Sequence, residues 1–464
     1  MGRARLASRR APLARLRSAG LAAAALLLGL GQAACAGHEN RVHAALFALD
    51  RSAPGEAIAA LNEEMEVERP DDLPAMTGDN PLLLLDRGNI LLAMDRHKLS
   101  ARDLGAADKS IDVLDMSRGA TDELGKYLFS DDVGPYKAPA YEKLLINTIN
   151  LMNYLALGDL SGAKVEARRL AIMQKYLRDQ EDTSALLGLG SYLAGFAFEK
   201  SGQSPEALLY YDDALKYAQY PSLRDPLRVL SRGQPAKSPG IAALLGDAAP
   251  LPSVGETGEA ELLVVVGFGR VPQKVPQRIP IGLALTLVAG NISPHDHARA
   301  NALAAKGLVT WINYPTLARG KGGYSIPTFQ LDGRALAMEQ ALDIEAEVRA
   351  EWKKVEGTVI LAAITRMITR VVAGEVAQGA TEALSKDAGP LGLLVGLATT
   401  ATLSAVDTPD TRAWSTLPAR IAIARVRVPA GTHVVTLGAR GEAKQARITV
   451  APGGWAFVPM MALR

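Results

Sequence analysis

The chain has 464 residues, of which 48% are hydrophobic and 5% aromatic, and its formal net charge is +2. This length and apolar content exclude a fully disordered chain and correspond to about two to four domains. The nearly neutral charge argues against nucleic acid as the main partner. The single cysteine, Cys35, excludes a disulfide scaffold and a cysteine-rich metal site.

Residues 1–35 predict an export signal. Six arginines and no acidic residue are followed by an apolar run over residues 21–30, which is too short to span a bilayer. The Ala-Ala-Cys sequence ending at Cys35 is similar to a bacterial lipobox, so Cys35 is the candidate lipidation site. Two features leave ordinary signal-peptidase cleavage open as the alternative: Gln32 replaces the usual aliphatic residue, and Ala-Cys-Ala fits an A-x-A site.

Removal of residues 1–35 on export would leave 45 basic and 49 acidic residues, so the mature protein is expected to be mildly acidic. If Cys35 is acylated, the absence of aspartate just after it favours the periplasmic face of the outer membrane. If Cys35 is removed, the protein is expected to be soluble in the periplasm or secreted.

Residues 36–232 predict a helical array. Three stretches place small and large residues as the 34-residue tetratricopeptide repeat (TPR) does, which lets paired helices approach closely. The small-residue anchors are separated by 43, 63 and 44 residues, so long turns and an insertion near residues 115–140 are expected. These anchors are Ala57, Ser100, Ala163 and Ala207.

A TPR-like array usually presents a groove to a protein partner, although a purely structural helical domain is the alternative. Within it, residues 127–143 concentrate aromatic side chains in a chain with few, and such a loop either contacts a ligand or covers the helical core. The candidate partner-binding residues from this loop and the following helices are Tyr127, Tyr136, Tyr141, Glu142, Tyr154, Glu166, Arg168 and Arg169.

Residues 233–258 are rich in Gly, Pro and Ala and predict a linker before a β-rich segment over residues 259–337. The apolar run 262–266 predicts a buried strand, and further strands are predicted at 281–288, 308–314 and 324–330.

Residues 338–406 predict helices. An uninterrupted helix from Met338 would exceed forty residues, but Gly357 and Gly374 are expected to break or kink it. Residues 388–406 carry no charge, which fits either a soluble apolar hairpin or a membrane-contacting segment.

Residues 407–464 predict a small antiparallel β unit, with strands at 421–428, 432–437, 446–450 and 456–459. These strands and those of the middle segment are candidates for one shared sheet system. The predicted fold class is therefore α+β multidomain: a TPR-like helical repeat domain, then a mixed α/β half with a long helical hairpin and this β unit.

Catalytic and metal-binding motifs are weak. His295 and His297 have H-x-H spacing, but Ser293 and Asp296 are more naturally helix-capping residues, so no metal site is predicted. No Walker A loop or nucleophile elbow occurs at a strand–helix junction, and no cofactor is predicted. Acids in the helical array, such as Glu142 and Glu166, would act as an enzyme pair only if two of them faced one cleft.

Three stretches resemble a family of uncharacterised bacterial lipoproteins with a TPR-like N-terminal half. They are residues 127–177, 262–280 and 410–418, the last reading DTRAWSTLP. The resemblance implies export, lipid anchoring and a helical-repeat domain followed by a mixed domain. It implies no activity and no catalytic residues.

These observations favour a non-enzymatic scaffold or adaptor that binds an envelope protein through the TPR-like groove. Two alternatives stay open: an enzyme that acts on an envelope polymer through groove carboxylates, and a membrane-inserting subunit that uses residues 388–406.

Overall fold

A computed structural model describes Tyr136 and the ranges 37–116, 138–179, 186–232, 238–290, 292–305, 311–320, 324–384 and 409–464. The N-terminal half is helical and the C-terminal half contains the sheets. The predicted α+β class is therefore confirmed at this level.

The helical half is built from four helical hairpins, and each joins two helices through a three-residue turn. The three helix pairs that the small-residue spacing predicts are among them. The helices are α1 (His38–Asp50), α2 (Pro54–Glu64), α3 (Asn80–Ala93), α4 (His97–Met116), α5 (Ala140–Ala156), α6 (Leu160–Asp179), α7 (Leu186–Lys200) and α8 (Ser204–Tyr217), followed by the short α9 (Arg224–Leu230), α10 (Pro239–Leu245) and α11 (Val254–Thr257). The last two lie within the predicted linker.

Small residues permit the close approach of the paired helices. A Cβ atom added to Gly195 on α7 would lie 2.5 Å from the ring of Tyr211 on α8. A Cβ atom added to Gly88 on α3 would lie 2.9 Å from Leu104 on α4. Both distances are too short for a real contact, so these positions require glycine for the helices to pack as they do.

Two four-stranded sheets form the C-terminal half. The first has the order β10-β1-β7-β6, in which β10 runs parallel to β1 and the other pairs are antiparallel. The second has the order β5-β4-β8-β9 and is antiparallel throughout. The strands are β1 (Glu259–Phe268), β4 (Thr328–Leu331), β5 (Arg334–Leu336), β6 (Glu339–Asp343), β7 (Arg420–Pro429), β8 (Gly431–Ala439), β9 (Glu442–Val450) and β10 (Trp455–Ala462).

The strand β1 is buried on both faces. Leu263 and Val265 belong to the core shared with the helices, whereas Leu262 and Val264 belong to the core between the two sheets. This explains its unbroken apolar sequence, since a strand covered on both faces needs no alternation. The molecule is therefore layered as helices, first sheet and second sheet.

The helical half lays one face, here called the inner face, against the first sheet. Helices α3 and α5 contact β10, and α7 contacts β6. Phe196 on α7 meets the ring of Trp455 on β10, with their centroids 5.5 Å apart. Helices α6 and α8 pack mainly on α5 and α7, and their solvent-exposed sides are here called the outer face.

A further group of elements, here called the small lobe, contains β2 (Lys274–Pro280), α12 (Ile281–Leu287), α13 (Pro294–Ala305) and β3 (Trp311–Leu317). β2 pairs with β3 antiparallel, and the lobe packs on the long helix α14 (Ile344–Leu384).

The predicted strand at residues 281–288 is wrong, because this stretch forms α12. Ile281, Ala284, Leu285 and Val288 have helical spacing and all face the core of the small lobe. Two of the outward residues, Leu283 and Leu287, are also apolar, which hides the helical periodicity in the sequence. The strands predicted at 308–314 and 324–330 exist but lie slightly later in the chain, as β3 and β4.

The predicted helix start at Met338 is also wrong, because β6 precedes the helix and pairs with β7. From Ile344 the helix α14 runs for 41 residues, so the expected break at Gly357 or Gly374 is wrong. It continues through Gly357 and Gly374, so neither glycine ends it.

The four predicted C-terminal strands are present as β7 to β10, but they do not form a separate antiparallel unit. They are divided between the two sheets and pair there with β1, β4 and β6, so the middle and terminal strands share one sheet system, as considered above. Among the described residues, no helix is both long and apolar enough to cross a membrane. Residues 388–406 lie outside the described ranges.

Candidate functional site

Residues 409–419, here called the junction segment, run between the helical half and the first sheet. The segment is held mainly by side chains of the helical half. The backbone N–H of Thr416 donates to Asp86 Oδ1 at 2.7 Å, and the backbone N–H of Trp414 donates to Glu142 Oε1 at 3.0 Å. Asn89 Nδ2 donates to the carbonyl of Thr416 at 3.2 Å. Helices α3 and α5 thus bind this segment much as a groove would bind a peptide.

The first residues of the junction segment are fixed by charge. Arg412 is almost fully buried and pairs with Asp410 at 2.8 Å and with Asp79 at 3.2 Å. Thr411 donates to Glu39 at the start of α1. The segment is therefore tied to both α1 and the start of α3.

Three of the predicted partner-binding residues meet at this junction. Tyr136 donates to Glu142 at 2.5 Å, and Tyr141 lies next to it. Burial raises the pKa of Glu142, although the N–H of Trp414 opposes the shift. Glu142 therefore binds the backbone of this chain's own junction segment, and Tyr136 is buried beside it, bonded to Glu142 and lying next to Arg412.

A buried histidine–aspartate pair lies beside the same segment. His38 Nε2 is 4.0 Å from Asp86 Oδ2, and both side chains are 1% exposed. Burial, with a smaller effect from Arg41, lowers the pKa of His38 to about 3. Burial also raises the pKa of Asp86 to about 7. Between about pH 3 and 7 the pair is therefore a neutral imidazole beside a protonated carboxyl.

Sequence analysis did not single out this pair. One signal was present in the sequence: Asp86 and Asn89 stand inside the apolar run of α3, and both are buried. A polar residue buried in such a run needs a partner, and here the partner is the distant junction segment.

The predicted residues on α6 do not form one site. Glu166 accepts from Asn147 Nδ2 at 3.1 Å and from Arg169 at 3.2 Å, and burial raises its pKa. Tyr154 packs its ring over Gly162 across the α5–α6 turn. These residues hold α5 and α6 together, and Glu142 and Glu166 are each satisfied within the fold.

Arg168 points to the outer face instead. There, α6 and α8 border a groove of about 500 Å³. Its floor carries Phe198 and Tyr210, whose rings stack with centroids 5.1 Å apart. The residues that line it include Arg168, Gln203, Glu206, Asp212 and Lys216.

Exposed apolar side chains lie on the two helices that border this groove, and one of them, Leu209, lines it. Ile172 on α6 is 69% exposed and Leu209 on α8 is 72% exposed, while Val165 lies two turns before Ile172 and is also exposed. Together with the charged lining, this arrangement gives the outer face the mixture of apolar and charged groups found in protein interfaces.

The remaining residues singled out from the sequence concern metal binding and lipidation. Ser293 caps α13, since its hydroxyl accepts the N–H of Asp296 at 3.0 Å, as expected from the sequence. His295 is largely exposed. Among the described residues, no group of three or more His, Cys, Asp or Glu side chains could hold a metal ion. Cys35 and Tyr127 lie outside the described ranges.

No protein family, curated protein or solved structure matches this chain. The resemblance to TPR-like lipoproteins therefore stays a prediction, and function has to be argued from the geometry above.

Proposed function

We propose that this protein is an exported scaffold or adaptor, anchored through a lipid on Cys35 to the periplasmic face of the outer membrane. Its helical half is a degenerate TPR-like array, and a protein partner from an envelope process docks in the outer groove between α6 and α8.

The proposal rests mainly on how the two faces of the helical half differ. The inner face is covered by the first sheet and by the junction segment, which leaves no room there for a partner. The outer face instead has a groove lined by Phe198, Tyr210 and the exposed Leu209, and Ile172 on the bordering helix α6 is exposed too. This favours a partner helix or short segment with an apolar stripe.

The charges that line the outer groove favour a protein partner with both acidic and basic residues. The groove is lined by the basic residues Arg168 and Lys216 and by the acidic residues Glu206 and Asp212. A bound segment with both acidic and basic residues would therefore be complementary to it in charge. The buried acids Asp86 and Glu142 hold the junction segment and face no cleft, so they lend no support to the polymer-cleaving alternative.

Site-specific photo-crosslinking in intact cells tests the groove. A photoreactive side chain is placed at Leu209 or Ile172, and at Leu73 as an exposed apolar control outside the groove. We expect a discrete protein adduct from the two groove positions and none from Leu73. Arg168→Glu should reduce the yield. No adduct, or the same adduct from Leu73, would refute groove binding.

The anchor is tested separately by metabolic labelling with palmitate. We expect labelling of the full-length protein that disappears in Cys35→Ala. Labelling that persists in this variant, or that never appears, would refute lipid anchoring and leave the groove test unaffected.

A further inference from the structure

The small lobe differs in charge from the rest of the chain. Between residues 274 and 321 there are six Lys and Arg residues and one acidic residue, Asp296, in a mature protein that is otherwise mildly acidic. Arg278, Arg299 and Arg319 are exposed. The lobe therefore presents positive charge to its surroundings.

The lobe also exposes large apolar side chains. Leu283 and Leu287 on α12 are 49% and 54% exposed, and Trp311 at the start of β3 is 43% exposed. Trp311 pairs with Pro280, which directly precedes α12, so these residues lie along one edge of the lobe. We call Pro280, Leu283, Leu287 and Trp311 the apolar ridge.

The fold of α12 does not require these exposed leucines. The core-facing side of α12 is already supplied by Ile281, Ala284 and Leu285. A surface helix normally carries polar residues on its other side, whereas α12 carries Leu283 and Leu287 there. The outward side therefore has a use other than folding.

A cation stands beside the ridge. The guanidinium carbon of Arg278 lies 5.4 Å from the ring centroid of Trp311. Tryptophan favours the boundary between lipid tails and headgroups, and arginine there reaches to phosphate. Leucines at the same level would enter the outer part of the acyl region.

From this juxtaposition we propose that the apolar ridge is a peripheral membrane-binding surface that docks on bilayers with anionic phospholipid headgroups. The leucines and Trp311 enter the interface, and Arg278 with its basic neighbours pairs with phosphate. This contact goes beyond the proposed adaptor function and needs neither the lipid on Cys35 nor the outer groove.

Vesicle sedimentation tests the proposal on the whole mature chain with Cys35→Ala, which carries no lipid of its own. We expect binding to vesicles of phosphatidylcholine mixed with phosphatidylglycerol, weakened by salt, and little binding to phosphatidylcholine alone. Arg278→Gln should weaken binding about fivefold, as expected for one cation at an anionic surface. The double variant Leu283→Ser with Leu287→Ser should weaken it roughly tenfold or more.

Two controls separate this surface from others. Leu73→Ser changes a leucine of similar exposure that lies outside both the small lobe and the outer groove, and it should bind vesicles like the parent chain. Quenching of tryptophan emission by brominated phosphatidylglycerol should decrease strongly in Trp311→Phe. Far-UV circular dichroism checks that each variant is folded.

Several results would overturn the proposal. They are equal binding to both kinds of vesicle, lobe variants that bind like the parent chain, or the same loss in Leu73→Ser. Self-association that the lobe variants abolish, without vesicle binding, would assign the ridge to a second copy of the chain and would also overturn it.

Discussion

Asp86→Asn and His38→Gln remove the two members of the buried pair one at a time. In the folded chain the pKa of His38 is about 3 and that of Asp86 about 7, and burial is the largest cause of both shifts. Between about pH 4 and 6.5 the folded pair therefore carries its proton on Asp86. In the unfolded chain the same proton is on His38, because the ordinary pKa values are in the reverse order. Folding thus moves a proton from one residue to the other.

The two groups have opposite effects on stability as pH changes. His38 binds fewer protons in the folded than in the unfolded chain between about pH 3 and 6.5, so it makes the free energy of unfolding rise with pH. Asp86 binds more protons in the folded chain between about pH 4 and 7, so it makes the free energy of unfolding fall with pH. Over their shared window the two contributions nearly cancel.

Each single variant removes this cancellation. One group whose proton is bound in only one state changes the free energy of unfolding by about 1.4 kcal/mol per pH unit. As pH rises from about 4.5 to 6, the free energy of unfolding of Asp86→Asn should therefore rise by about 2 kcal/mol relative to that of wild type. Over the same change in pH, the free energy of unfolding of His38→Gln should fall by a similar amount relative to that of wild type. The double variant should follow the wild-type profile, displaced by a constant.

Urea unfolding at a series of pH values measures these differences. Wild type is the reference at each pH, so that all other titrating groups cancel. Asparagine keeps an oxygen that can accept from the N–H of Thr416, as Asp86 does, which preserves the contact with the junction segment. Slopes of the same sign in both single variants, or a double variant that follows one of them, would refute the proton assignment.

Two other sites give predictions for stability. Arg425→Met removes one of the two cations beside the buried carboxylates of Glu199 and Glu261, each 2.7 Å from Arg425, and leaves only Lys200 there; it should lower the free energy of unfolding by up to about 3–5 kcal/mol in thermal or urea unfolding. Although burial raises it, the charges of Arg425 and Lys200 hold the pKa of Glu261 at about 2, so the stability due to these contacts should fade as pH falls from about 4.5 to 2 in wild type, and to a smaller extent in the variant, which keeps Lys200. Gly195→Ala should lower the free energy of unfolding by more than 1 kcal/mol, because its Cβ would overlap the facing ring of Tyr211. Gly105→Ala has open space at its Cβ and should raise the free energy of unfolding by about 0.5–1 kcal/mol. Similar values for the two variants would refute the packing argument.

Elements whose signal lies within about twenty residues could be predicted. The helix pairs follow from small residues that recur across a short turn, and β1 follows from an unbroken β-branched run. Prediction from short apolar runs was wrong at residues 281–288, because such a run is compatible with either a helix or a buried strand. In the structure the helix begins directly after Pro280, which is its N-cap residue. The strand β6 was missed because only its pairing with β7 makes it a strand.

The junction could not be predicted from local pattern. His38, Asp86, Glu142 and Thr416 come from four distant stretches, and none of them has a spacing that indicates the others. The aromatic loop was correctly recognised as unusual, but sequence could not show whether Tyr136 faces a partner or this chain. Only the position of the junction segment decides that.

The layered arrangement limits where a partner can bind. Leu263 and Val265 of β1 lie in the core with the helices, and a buried Leu or Val side chain contributes about 1.5–3 kcal/mol. A partner that used the inner face would have to expose these residues and separate Arg425 from Glu199. The outer groove requires no such opening, since Leu209 is already exposed. We therefore expect Leu209→Asp to reduce partner binding while leaving the free energy of unfolding unchanged, and Leu263→Ala to lower that free energy whether or not a partner is present.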